Sequence, residues 1–302
     1  MTTSARRLFR LHGALAAAAI AVTLGALGVA ARAVSLSVPS ATQTLAACRA
    51  WLGSLHPIGL LVLALGALGI TVIVRTFTTA VRMQRSTRAY LRSLQMVETL
   101  PGEPAVRVVA DPTALAFCAG LLRPRVYIST GTLERLSREE LRAVLAHEAH
   151  HAASRDPLRL LVARALGEGL FFLPAMRRMG HHCASAAELA ADEAAVRAGG
   201  GQRPLASAML AFGETGDPAV VGVCAERIDH LLGARPPGLP RWLLIAAGLT
   251  IAALGVAVFE GARASAGAHI NFMLLLMHSC GPLMFGVAGL MVASVLRGLV
   301  RR

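Results

Sequence analysis

The sequence predicts a mainly α-helical, multi-pass membrane protein that carries a small α+β domain on its cytoplasmic side. Of its 302 residues 55% are hydrophobic and only 16% charged, and the mean hydropathy of +0.59 is too apolar for an ordinary soluble domain. The apolar residues gather into runs long enough to cross a bilayer. Between these runs, residues 80–157 turn polar, with two short β-like runs and one helix of amphipathic period.

The first apolar run, residues 13–31, follows Arg6, Arg7 and Arg10. A secretory signal has the same basic flank, and Ala31-Arg32-Ala33 could pass for a cleavage site. The run is long for a signal, so an uncleaved anchor is expected. The second run, residues 56–74, is followed by Arg75, Arg82, Arg85, Arg88 and Arg92. Arginine-rich flanks stay cytoplasmic, which places the N-terminus and the chain after residue 75 on that side, with a short external loop around 32–54.

Residues 106–110 and 125–130 read as short strands bounded by Pro and Gly. Residues 137–154 read as a helix opened by a Ser137/Glu140 capping box, with Leu141, Val144, Leu145 and Ala149 as its apolar stripe. Asp156-Pro157 marks its stop or a kink. Residues 157–176 are apolar but interrupted by Arg159, Arg164 and Glu168, and residues 184–199 form a second alanine-rich helix ended by glycines. A Pro/Gly linker at 234–241 precedes two more spans, at 242–259 and about 269–296, and a basic tail. Both termini are then cytoplasmic. The resulting division is 1–78 for two spans, 79–233 for the cytoplasmic domain, and 234–302 for the linker and last two spans.

The net charge of +13 is all arginine, since the chain has no lysine. With spans present, such a charge suits an anionic bilayer surface better than direct nucleic-acid binding. Cys48, Cys118, Cys183, Cys224 and Cys280 are scattered without a CxxC pair, which argues against a disulfide framework or a cysteine zinc knuckle. His278, in the last apolar run, reads as a packed or hydrogen-bonded intramembrane residue.

The chemistry-bearing stretch is AVLAHEAHH, residues 143–151. Residues four apart share a helix face, so His147 and His151 can aim ring nitrogens at one ion, with Glu148 beside it. This is the H-E-x-x-H zinc arrangement. Zinc brings the pKa of a coordinated water to about 7, and Glu148 is placed to act as general base and then protonate the leaving amine. His150 is rotated off that face and reads as a helper or bystander. A catalytic zinc takes three protein ligands, and Glu188 is the candidate third. Asp192, four residues on, could accept the N–H of a ligating imidazole. The plain alternative is that Glu188 and Asp192 form a solvated acidic face. His181-His182-Cys183 is a competing cluster, while Tyr127, His181, His182 and Arg197 are conceivable oxyanion donors.

Residues 105–215, with ALAFCAGLLRPRVYIST, the H-E-x-x-H helix and ELAADEAAVRAGG, resemble integral-membrane gluzincin peptidases. The resemblance is to family M56, of the BlaR1/MecR1 signal-transducer type, with the HtpX-like family M48 sharing much of the pattern. It implies a zincin-like protease domain and one Zn2+ per chain held by His147, His151 and Glu188. It also implies Glu148 as general base, Asp192 as a carboxylate bonded to a ligand, and Asp156 as a structural or ligand-supporting carboxylate. Its substrates are proteins, and M56 members are often paired with a cleaved BlaI-type repressor. Receptor-type members carry a sensor built on Ser-x-x-Lys, which a chain without lysine cannot form. The expectation is a short form at the plasma membrane, with sensing left to a separate protein. One geometric condition follows. If residues 157–176 crossed the bilayer, Glu188 would lie on the far side from His147. That segment is therefore expected to be interfacial or re-entrant, each buried charge costing about 2.5–3.5 kcal/mol at full depth.

Overall fold

The computed structural model describes residues 3–35, 40, 42, 57–100, 103–198, 201–213, 240–264 and 270–271. The expected fourth span apart from residues 270–271, the 234–239 part of the linker, the basic tail, His278, Cys48, Cys224 and Cys280 lie outside them. The chain forms two compact units, one of residues 1–19 with 72–250, the other of 20–71 with 251–302.

Among the described residues three helices are long and apolar enough to cross a membrane: α1 (Thr3–Ala33), α2 (Pro57–Ser93) and α8 (Arg241–Ala264). Each outruns the apolar stretch that announces it. α2 continues well past Arg75, because residues 75–93 contain no Pro or Gly to stop a helix already nucleated. Within the second unit, Val29, Ala33 and Val62 form a buried cluster with Val258 against it. Gly66 and Gly69 of α2 sit against Ala30 and Leu27 of α1, where a Cβ would overlap either neighbour. Small residues at such a crossing let two apolar helices approach closely. Large apolar side chains such as Ile70, Ile73, Trp242, Ile245 and Leu249 remain exposed along the helices, a pattern suited to lipid rather than water. A short parallel pairing joins β1 (Val34–Ser35) to β6 (Ile270–Asn271).

The first unit is built on a four-stranded sheet of β2 (Met96–Leu100), β3 (Glu103–Val109), β4 (Ala116–Ala119) and β5 (Arg125–Ser129), in the order β2-β3-β5-β4. β3 and β5 are parallel and the other pairs antiparallel. Val106, Val108, Val126 and Ile128 alternate onto one face and pack under Leu141 and Leu145 of the next long helix. That helix, α4 (Arg138–Ser154), follows the short α3 (Thr130–Arg135). The capping box is present as predicted: Ser137 N–H donates to Glu140 Oε2 at 2.8 Å, and Glu140 N–H to Ser137 Oγ at 3.4 Å. The buried stripe differs from expectation at one position. Ala143, Val144, His147, Glu148 and His151 are buried, whereas Ala149 is exposed, since α4 turns its motif rather than its alanines inward.

α4 stops at Ser154, where Arg155 takes the left-handed conformation (φ 54°, ψ 39°), and Asp156 with Pro157 opens α5 (Asp156–Gly169). The expected apolar arm is not one helix. The chain turns at residues 170–173, with Leu173 N–H donating to Leu170 O at 2.9 Å, and α6 (Pro174–Ala198) runs back. Gly167 faces Arg177 and Gly180 faces Ala163 across this hairpin, a register that brings Glu188 level with Asp156. α6 begins ten residues before the alanine-rich segment predicted at 184, so His181, His182 and Cys183 are helical rather than on a strand or turn. α7 (Gln202–Gly213) closes the unit, packing Leu205, Ala208 and Phe212 against α4.

Candidate metal centre and active site

His147 and His151 project from the buried face of α4, 6% and 8% exposed. Their Nε2 atoms lie 3.1 Å apart. Glu188, returned by the hairpin, places Oε2 at 3.5 Å from His147 Nε2 and Oε1 at 3.5 Å from His151 Nε2. Among the described residues this is the one group of three His, Cys, Asp or Glu side chains whose ligand atoms converge, all within 4.8 Å of one another.

The opposite ring nitrogens meet carboxylates. His151 Nδ1 is 2.9 Å from Asp156 Oδ2, and His147 Nδ1 is 3.0 Å from Asp192 Oδ1. Both aspartates are almost fully buried, at 2% and 1%. An ionised carboxylate can only accept, so a carboxylate beside each Nδ1 favours the tautomer whose Nε2 presents a lone pair. Two lone pairs facing each other at 3.1 Å, with a carboxylate beside both, repel unless a cation lies between them. The three separations also suit tetrahedral zinc, for which Zn–N and Zn–O bonds near 2.05 Å set ligand atoms about 3.3 Å apart. The residues therefore fit the metal the motif implies. A solvated acidic face is not what α6 presents here, because Asp192 is sealed against His147 while Glu193 turns outward to Arg197 at 3.7 Å.

Glu148 is 8% exposed and, with His147, borders a cavity of about 50 Å³. β4 and the loop residue before it supply one wall through Ala116, Phe117 and Leu115, and α7 the other through Met209 and Phe212. β4 is an edge strand, and among the described residues no strand pairs with its outer side. The loop feeding it is pinned by buried Ser129, whose Oγ accepts from Leu115 N–H at 2.9 Å and donates to Thr113 O at 2.6 Å. Thr132 Oγ1 adds a bond to Leu115 O at 2.8 Å.

Sequence reasoning missed β4, the cavity and the placement of Cys118. Burial first, then the charges of Glu148 and Asp156, push the Cys118 thiol up to about 12, so it stays protonated beside the site. The alanine-rich AFCAG run gave no strand alternation to find. His150 points away, its Nε2 within 3.4 Å of Ser154 Oγ, and burial holds its imidazole below the ordinary range. Of the conceivable oxyanion donors, Tyr127 lies on the sheet face opposite α4, stacked on Phe117 with ring centroids 5.1 Å apart. Arg197 pairs with Glu193, and His181 lines a different cavity.

A sequence model described as BlaR1 peptidase M56 matches residues 14–228, most of the chain. The chain belongs to the M56 peptidase family. It is also similar to a "Protease HtpX homolog" of Nitrosomonas europaea, 38% identical over 83 residues, which is 26% of this chain and 28% of that protein. The homolog of Ligilactobacillus salivarius is 36% identical over 88 residues (28% and 30%), and the "Protease HtpX" of Aliivibrio salmonicida 36% over 67 (22% and 23%). The match thus spans under a third of the length of these relatives. No solved structure matches.

Proposed function

We propose that this M56 member is a membrane-embedded zinc endopeptidase that cleaves an extended segment of a cytoplasmic or juxtamembrane protein. The observation that carries the reading is the convergence of His147 Nε2, His151 Nε2 and a Glu188 carboxylate beside buried Glu148. His147, His151 and Glu188 would hold the ion, one per chain. Bound there, zinc would supply Lewis acidity, lowering the pKa of a water to about 7 and polarising the scissile carbonyl. Glu148 takes the proton from the attacking water and delivers it to the leaving amine nitrogen. Asp192 and Asp156 hold the imidazoles with Nε2 lone pairs turned inward. The open edge of β4 offers backbone donors and acceptors to an extended peptide, and the cavity beside Glu148 takes one small apolar side chain.

In this reading residues 1–78 and 234–302 are membrane segments flanking a domain at 79–233, with termini and active site on the cytoplasmic face of the plasma membrane. The α5–α6 hairpin supports that arrangement. α5 has 14 residues, about 21 Å, too short to cross a hydrocarbon core of about 30 Å. Family membership favours regulated proteolysis, with a BlaI-type transcriptional repressor as substrate and a separate sensor protein upstream. A second reading is a quality-control protease of membrane proteins of the HtpX-like type, the relatives named as HtpX proteases being consistent with a protease of either role. A non-catalytic membrane protein with a structural zinc site is the third, disfavoured because such a site has no use for Glu148.

The test is purified protein assayed for zinc content and for cleavage of an unfolded cytoplasmic protein, against Glu148→Gln. The expected outcome is one zinc per chain in both proteins and cleavage at least 10²-fold lower in the variant. Full cleavage by the variant refutes the assigned base, and absence of zinc refutes the site.

A further inference from the structure

A second cavity, of about 290 Å³, opens between α2, α5 and α6 in the same compact unit as the metal centre. Its polar lining comprises Thr79 and Arg82 of α2, Arg164 and Glu168 of α5, and Arg177 and His181 of α6. Glu168 is already matched: its carboxylate lies 3.6 Å from Arg75 and 3.5 Å from Arg177, and Arg75 Nε donates to its carbonyl at 3.1 Å. Arg82 and Arg164 make no ion pair or hydrogen bond among the described residues. Two uncommitted guanidinium groups from different helices therefore converge on one cavity, beside a third that is shared with a carboxylate.

The helices are held rigidly at this point. Gly169 lies so close to Thr76 that any Cβ would overlap it, and Gly167 lets α6 pass at Arg177. The helix backbones that carry the cations are thus fixed relative to one another, and only the arginine side chains need to order on binding. Depth supplies the second argument. On α2, Arg75 ends the apolar run, and Thr79 to Met83 follow about 6–12 Å further along the helix axis. The headgroup layer of a bilayer leaflet is about 5–8 Å thick, so the near end of the cavity at Thr79 falls within it, and the long Arg82 side chain, about 10 Å out, can reach back to lipid phosphate. Exposed Phe77 and Phe171, the latter under Arg75 at 5.2 Å, supply the apolar–aromatic boundary usual at that depth.

We propose that this cavity is a phosphate site, clamped by Arg82, Arg164 and Arg177, that takes the headgroup of an anionic phospholipid or the same group free in solution. Guanidinium forks bind phosphate oxygens in pairs, and anionic headgroups gather in basic pockets between membrane helices. The site is independent of the catalytic reading, and its test measures binding alone.

The full-length chain in neutral detergent is titrated with short-chain phosphatidylglycerol, short-chain phosphatidylcholine and inorganic phosphate, and bound adducts are read by native mass spectrometry. Phosphatidylglycerol is expected to bind at least about tenfold more tightly than phosphatidylcholine. Arg82→Gln with Arg164→Gln should weaken it about thirtyfold, and exposed Arg123→Gln with Arg125→Gln should leave it unchanged. Inorganic phosphate that binds as tightly as the lipid, with the same loss in the double variant, assigns the site to free phosphate. Glu168→Gln removes the one carboxylate from the cavity and should tighten binding a few-fold, a gain that misfolding cannot imitate. Undiminished binding by a folded Arg82/Arg164 variant overturns the proposal. If that variant does not fold, failure of Glu168→Gln to tighten binding overturns it.

Discussion

Replacing Asp192 by Asn tests whether the buried carboxylates on α6 are there to orient a metal ligand. Asp192 is 1% exposed and lies 3.0 Å from His147 Nδ1. Asn keeps the shape and one acceptor oxygen but removes the charge that makes the imidazole a stronger donor through Nε2. Loss of such a partner costs about 10–100-fold in metal affinity, or about 1.4–2.7 kcal/mol. The same quantity appears in stability. At free zinc about 100 times the wild-type Kd, binding stabilises the fold by about 2.7 kcal/mol, and the variant retains about 0.4–1.4 kcal/mol. The chelator-induced fall in unfolding midpoint should therefore shrink by about half or more. Zinc competition against a chromophoric chelator gives the affinity directly, and midpoints with and without EDTA give the linkage. Glu193→Gln, one residue along and paired outward to Arg197, is the control and should change neither. Zinc affinity within about twofold of wild type in Asp192→Asn would refute the orienting role.

Three further outcomes follow from the scaffold. The Glu140 carboxyl is held below its ordinary value of 4.5, first by the Ser207 hydroxyl and then by the Ser137 amide, both of which donate to the charged form. Its contribution is therefore full above that pH and lost as pH falls through the lowered folded value. Glu140→Gln should be less stable than wild type in denaturant at pH 7, with the difference closing in the acid range. Gly131→Ala drives a Cβ into the Pro112 carbonyl, and because Gly131 N–H also donates to Asp111 O at 2.9 Å neither side can yield. A loss of about 1–3 kcal/mol is expected, read as a lower unfolding midpoint. Arg155→Gly relieves the left-handed backbone between α4 and α5 and should raise stability by up to about 1 kcal/mol with zinc content unchanged.

The residues legible in the sequence were those whose chemistry is written in local spacing. His147, Glu148 and His151 share one helical segment with its own capping box, so periodicity alone placed them on one face. Glu188 and Asp192 were nameable as a pair, but their partner depended on where the chain turns, which spacing does not encode. Asp156 reads locally as a helix stop and by the family resemblance as a structural or ligand-supporting carboxylate, but that His151 is its partner follows only from the turn through left-handed Arg155. β4 escaped because AFCA is short and alternates neither in polarity nor in size, and its strand state comes from pairing with β5 rather than from propensity. Hydrophobicity alone places Ala149 on the buried stripe, yet the inward face of α4 carries two imidazoles and a carboxylate beside Ala143 and Val144. Their burial is tolerated because carboxylates face the imidazoles, Asp156 bonded to His151 and Asp192 within ion-pair distance of His147.

The hairpin accounts for why an apolar segment interrupted by three charges sits between the ligands. Both imidazoles are oriented from its base: Asp156 opens α5 and holds His151, while Asp192 lies one turn past Glu188 on α6 and holds His147. The outward limb from Asp156 to Gly169 and the return limb from Pro174 to Glu188 are both close to 21 Å long, about four turns each. A helix rotates about 100° per residue, so gaining or losing one residue in either limb would carry Glu188 off the face that meets the Nε2 atoms. The constraint on this segment is therefore its length and its glycine contacts at 167, 169 and 180, far more than its hydropathy. That is the physical reason its composition is not that of a span. Arg159 and Glu168 are used sideways, against Asp156 and Arg75, while Arg164 lines the second cavity, and a lipid-exposed crossing would strip the solvent from all three.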